Sequence, residues 1–120
     1  MYTALVLDQL SHDLLVKSFL IPQDWEIIAH HMTINLGNAQ NGPAKDILNY
    51  PAKLKVTEFA QNDRVMAVKV ETDVPSTNAI KHITIAVNRN VGAKPFESNK
   101  LDNWQKIEPI ILSGTIQEVE

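Results

Sequence analysis

The sequence predicts an α+β domain with a largely antiparallel sheet. Three observations lead there. Hairpins and helices mix along the chain, with about six strand-like segments and two or three helical ones. No linker is long enough to divide the chain, and 120 residues suffice for one hydrophobic core but not two, so residues 1–120 are expected to form a single domain. One stretch also recurs: His30-His31-Met32-Thr33-Ile34-Asn35-Leu36 is echoed 51 residues later by Lys81-His82-Ile83-Thr84-Ile85-Ala86-Val87. That echo predicts a duplicated fold whose halves are related by a pseudo-twofold axis.

Taken in order, Tyr2 to Leu7 is rich in β-formers and reads as a first strand. Ser11 caps a helix running to about Phe19, with Leu14, Leu15 and Val16 as its apolar surface and Pro22 as its stop. Trp25 to Leu36 reads as one long strand closed by Gly37-Asn38, and Asn41-Gly42-Pro43 is turn chemistry leading to a short helix from Ala44 to Asn49. Lys53 to Ala60 and Arg64 to Thr72 flank Gln61-Asn62-Asp63 and predict a hairpin. After the Pro75–Asn78 loop, Lys81 to Asn88 is a strand. Asn90 to Pro95 is a loop, Ser98 caps a short helix reaching Trp104, and Ile110 to Val119 is a closing strand.

Composition narrows the function classes. The hydrophobic fraction of 44% and charged fraction of 21% are ordinary for a soluble globular protein, and nothing predicts disorder. A net charge of -3 argues against coating by nucleic acid through bulk electrostatics, though a phosphate-bearing ligand in a locally basic cleft is compatible with it. Lys81, Arg89, Lys94, Lys100 and Lys106 against Glu97 and Asp102 make such a basic stretch around the second repeat. With no cysteine there is no disulfide, thiolate metal cage or cysteine nucleophile. The first residues lack a signal-peptide pattern and no run is long enough to span a bilayer. A cytoplasmic protein with no membrane association is therefore expected.

The repeat carries the chemistry. Along a strand, residues two apart share a face, so His31 joins Thr33, and His82 joins Thr84, while the intervening apolar residues turn away. Imidazole titrates near 6.5 and serves as acid or base at neutral pH. Two histidines on opposite sides of one phosphorus suit in-line phosphodiester cleavage, one taking a proton from the attacking oxygen and the other giving one to the departing oxygen. The threonine hydroxyls can hydrogen-bond the non-bridging oxygens as charge accumulates there. Neither a metal nor another cofactor is required.

The paired motifs resemble the two-histidine (2H) phosphoesterase superfamily, defined by two His-φ-Thr/Ser-φ strands (φ, apolar) in a duplicated α+β fold. Ile21–Ile34 and Gly92–Asn99 are similar to its Swiss Army Knife RNA repair-like branch, akin to the cyclic phosphodiesterase module of tRNA ligases, and the resemblance runs from Tyr2 to about Val119. It implies hydrolysis or transfer at a cyclic phosphate or a cyclic or linear phosphodiester of a nucleotide, cyclic nucleotide or RNA end. His31 and His82 match the acid/base pair, and Thr33 and Thr84 the phosphate-contacting hydroxyls. The near symmetry of the motifs leaves both assignments of acid and base open.

Other residues rank lower. His30 alternates to the opposite face from Thr33 and reads as a rim or core-satisfied residue, and His12 reads as surface. No His-x-His or carboxylate-histidine spacing supports a metal site. Lys94, in a Gly92-containing loop after the second motif, could meet a phosphate. Phe96 beside it is the leading aromatic candidate to stack on a base, ahead of Tyr2, Trp25, Tyr50 and Trp104. The sequence thus predicts a metal-independent phosphoesterase. The rival is a module of the same fold that binds RNA or a nucleotide without turnover, and titratable groups at both motifs favour the enzyme. A purely structural protein with a duplicated strand is a weaker third reading.

Overall fold

The computed structural model describes residues 1–120 and places the β-forming segments much where their side chains demand. The elements are β1 (Tyr2–Leu7), α1 (Gln9–Lys17), β2 (Glu26–Ile27), β3 (His31–Leu36), β4 (Pro51–Gln61), β5 (Val65–Glu71), β6 (His82–Val87) and β7 (Gln105–Val119). Two 3₁₀ segments, Arg89–Val91 and Pro95–Lys100, lie between β6 and β7. The strands follow the order β2-β6-β3-β1-β7-β4-β5, every pairing is antiparallel, and β5 pairs back onto β6. The sheet is therefore closed and barrel-like, with β2 and β3 sharing one edge of β6. The largely antiparallel sheet is as expected. Helix contributes less than an α+β reading implies, because α1 spans only nine residues and the remaining helical turns are 3₁₀.

Inside the closed sheet, Leu5, Met32, Ile34, Met66, Ile83 and Ile85 are fully buried, and Leu15 of α1 joins them. Each such side chain stabilises the fold by about 2 kcal/mol. Met32 and Ile83 pair across β3 and β6 and fix the strands whose outer faces carry the repeated histidines and threonines. A second, smaller core lies on the outer face, where Val65, Ala67 and Val87 are covered by Ala93, Leu101 and Trp104. It holds the chain after β6 against the barrel wall.

Bulges decide which residues face out. The β5–β6 register shifts between Met66 and Ala67, so that Thr84 pairs with Ala67 but Ala86 with Met66, leaving Ile85 as the extra residue. Ile83, Ile85 and Ala86 consequently join the inner core while Val87 joins the outer one. Gly114 is required where β7 meets β1, because a Cβ there would stand 2.1 Å from the Val6 carbonyl oxygen.

Several expected elements take a different form. The helix starts earlier because Asp8, not Ser11, is its cap: the Asp8 carboxylate accepts the Ser11 N–H at 2.8 Å, and the helix ends at Lys17. Trp25–Leu36 is broken into β2 and β3 by Ala29, whose φ of 42° is incompatible with a continuous strand. Ala44–Asn49 forms turns instead of a helix: Asn49 has φ 71° and gives its N–H to the Ile116 carbonyl of β7. Ser98 lies inside a 3₁₀ segment led by Pro95 and does not cap a helix to Trp104. The last strand begins at Gln105, and Pro109 is tolerated because the β4–β7 register is irregular there, between the Val56↔Ile110 and Glu58↔Lys106 pairs. No helix is long and apolar enough to cross a membrane.

Candidate active site

β3 and β6 pair antiparallel at Met32 and Ile83, the middle residues of the two motifs. With those two side chains buried inward, His31 and Thr33 from β3 and His82 and Thr84 from β6 line the floor of one cleft, of about 400 Å³, on the outer face. All four motif residues are thus brought together. Pro95, Phe96 and Asn99 form one wall; Tyr2 and Leu36, which pair across β1 and β3, form another. Thr77 and Asn78 of the loop before β6 complete it.

The position of His31 comes from a local irregularity. Ala29 donates its N–H to the Thr84 carbonyl at 3.0 Å, and the next pairing along β6 is Met32 with Ile83. One step on β6 thus spans three on its neighbour, and His30 and His31 are the extra residues. The left-handed turn at Ala29 makes that excursion, and pairing of His31 with Val6 of β1 returns the chain to the sheet. The Tyr2 ring packs against the His31 ring with centroids 4.8 Å apart. Simple alternation fails here: His30 is exposed, yet its Nδ1 lies 2.9 Å from His31 Nδ1 and is not directed away from it.

His82 is 8% exposed and its Nδ1 sits 2.8 Å from the Ile80 carbonyl oxygen. A carbonyl only accepts, so Nδ1 carries the hydrogen and Nε2 of the neutral ring is a bare lone pair. Burial lowers the His82 pKa, and the Ile80 hydrogen bond opposes that in part. His31 is pushed down to about 4, first by burial and then by the charges of His30 and His82.

Thr84 donates its hydroxyl to the Pro95 carbonyl at 3.2 Å, and its oxygen lies 2.8 Å from Ser98 Oγ. Ser98, buried at 1% exposure, therefore anchors the Phe96 wall to the floor. Arg64, in the β4–β5 turn, pairs with Glu97 and clamps the same segment from outside, and the Glu97 carboxylate also accepts the Lys94 N–H at 2.9 Å. The Arg64 guanidinium and that N–H hold the Glu97 pKa down to about 2.

Among the remaining sequence candidates, Phe96 stands at the cleft mouth, 60% exposed. Lys94 is not brought to the cleft: it precedes the Pro95 turn, its side chain is exposed and the lining contains no lysine or arginine. The basic stretch is similarly dispersed, with Arg89 paired to Glu26, Lys81 bound to the Thr72 carbonyl, and Lys100 lying 6.0 Å from the Phe96 ring centroid. His12 is not a plain surface residue, since it is half-buried with Nδ1 2.8 Å from the Ala29 carbonyl. Ser98, Asn78 and Asn99 are site residues that strand patterning did not identify. Only the Gly92–Asn99 resemblance pointed near two of them. No group of three His, Cys, Asp or Glu side chains stands where it could hold a metal ion.

Comparison with curated proteins gives no match. The family described as the fungal tRNA ligase phosphodiesterase domain matches residues 10–120, which takes in all but the first residue of α1, both histidine motifs and the wall segment. With nearly the whole chain covered, the protein belongs to that cyclic phosphodiesterase domain family.

Proposed function

We propose that the chain is a metal-independent phosphoesterase that hydrolyses a cyclic phosphate of nucleotide or RNA origin, such as a 2′,3′-cyclic phosphate, by two-histidine acid–base catalysis. The observation that carries this reading is the convergence of His31, Thr33, His82 and Thr84 on one cleft. A phosphate seated there has an imidazole from each strand and a hydroxyl from each. The lining offers it no lysine or arginine, so the charge of a single phosphate would be met by N–H and O–H donors alone. Tyr2, Leu36 and Phe96 give an apolar rim that suits a nucleobase, and Asn78 and Asn99 can hydrogen-bond its edge. Pairing of the motifs through Met32 and Ile83 supports the reading of two halves related by a local twofold axis.

The test is incubation of purified protein with 2′,3′-cyclic mononucleotides and with RNA carrying a 2′,3′-cyclic end, in EDTA, with products separated by chromatography. Conversion to a monophosphate, abolished by His31→Ala and by His82→Ala, is the expected result. The rival, a nucleotide-binding module without turnover, has one observation in its favour: burial keeps both floor histidines uncharged at neutral pH. It would be established by binding of these nucleotides with no product after hours.

A further inference from the structure

His30 occupies the exposed part of the bulge after Ala29, yet its ring faces its neighbour: the two Nδ1 atoms of His30 and His31 are 2.9 Å apart. At that separation two lone pairs repel and two N–H groups clash, so the contact holds one hydrogen between the nitrogens. The rings meet edge-on, at 78° with centroids 5.1 Å apart, which suits an N–H aimed at a lone pair and not a stack. His31 is half-buried and lines the cleft. The Tyr2 ring packs on it from β1, and His82 lines the same cleft from β6. His12 of α1 reaches the Ala29 carbonyl, one residue before His30. Of these groups, His30 alone combines an exposed ring with a direct hydrogen bond to His31.

We infer that His30 is a positioning residue that holds His31 in the tautomer bearing hydrogen on Nε2 and lends it a proton during the step, making His31 the general acid and His82 the general base. The inference rests on the reaction proposed above. In that reaction the attacking water forms a new O–P bond and its proton passes to the bare Nε2 of His82, whose Nδ1 hydrogen is committed to Ile80. The P–O bond to the leaving oxygen breaks, that oxygen keeps the electron pair, and it takes the proton from His31 Nε2. His30, charged from solvent before the step, passes its Nδ1 hydrogen to His31 Nδ1. Both rings end neutral. His82 then releases its proton to water, while a proton from water on His31 Nε2 and return of the Nδ1 hydrogen to His30 restore the start. In the bond-breaking step His31 gains one proton at Nδ1 as it gives up the other at Nε2, so the ring stays neutral there.

The test is ¹⁵N NMR of histidine-labelled full-length protein, wild type and His30→Ala, alongside the pH profile of cyclic nucleotide hydrolysis. The wild type is expected to show His31 protonated at Nε2 and hydrogen-bonded through Nδ1. His30→Ala should redistribute the tautomers of His31, lower kcat about 10- to 100-fold and leave KM within about twofold, and added imidazole should restore rate. His30→Gln, which keeps a hydrogen-bonding group but cannot lend a proton, should retain the fold and stay slow. An unchanged His31 tautomer and pH profile in His30→Ala would overturn the inference. The NMR arm is independent of turnover. A shifted tautomer supports the pairing even if no cyclic phosphate is cleaved, a result that would count against the proposed reaction instead.

Discussion

The hydroxyl oxygens of Thr84 and Ser98 meet at 2.8 Å at the buried edge of the cleft, tying the floor strand β6 to the wall that carries Phe96. With Thr84 donating to the Pro95 carbonyl, Ser98 supplies the hydrogen of that contact. A phosphate reaching Thr84 must draw the Thr84 hydrogen away from Pro95. Under the proposed function, substrate binding and wall position are coupled through one hydroxyl.

Ser98→Ala should therefore act on both. Loss of a buried partner costs about 1 kcal/mol, or ~4 °C in Tm. KM for a cyclic nucleotide should rise several-fold as the wall loosens, with kcat little changed. Thermal melts and steady-state kinetics on the same preparation check this.

Under the proposed mechanism the histidines outweigh the threonines. His31→Ala and His82→Ala should each lower kcat/KM by about 10³-fold or more, and Thr33→Ala and Thr84→Ala by about 10²-fold. Small and equal effects from all four would point to binding without catalysis.

Stability should fall in two steps on acidification. His31 titrates at about 4 in the native state against 6.5 ordinarily, so between those values the unfolded chain binds more protons. This contribution is complete above 6.5 and is lost as pH falls toward 4; His82 acts in the same direction. Glu97, held down to about 2 from 4.5, contributes above 4.5 and loses that contribution as pH falls toward 2. Tm measured against pH should show both windows, with His31→Ala flattening the upper and Glu97→Gln the lower. By the same shifts, kcat/KM should peak on the acid side of 6.5 and decline above neutrality.

Ala29 tests the bulge. Its φ of 42° suits glycine, and its side chain is fully buried. Ala29→Gly should fold and keep His31 in place. Ala29→Val, branched at a left-handed position, should cost at least about 2 kcal/mol and shift the His31 ring resonances.

Phe96→Ala should raise KM for a cyclic nucleotide about tenfold, as expected for one lost base stack, without altering kcat. An unchanged KM would remove Phe96 from the substrate site.

The parts of the site that depend on strand period were legible in the sequence. His31 and Thr33 share a face because Met32 and Ile34 are drawn into the core, and alternation alone reveals that. The bulge was not, since alanine carries no turn signal and Ala29 is forced left-handed by pairing with Thr84 on another strand. Ser98 and Lys94 exchanged importance for a related reason. Which of them reaches the cleft floor depends on where Leu101 and Trp104 dock against β5 and β6, a contact between distant segments. The return of β5 onto β6 is equally non-local, so hairpins could be read but closure could not.

Closure also governs how such a cleft can choose what it holds. β6 is bonded to β5 on one side and to β2 and β3 on the other, so parting His82 from His31 would mean tearing backbone ladders on both flanks. The spacing of the imidazoles then behaves as a rigid calliper, with no hinged jaws to accommodate larger guests. On the proposed function, discrimination among guests falls to the rim of Tyr2, Leu36 and Phe96, and an oversized one is refused at the floor.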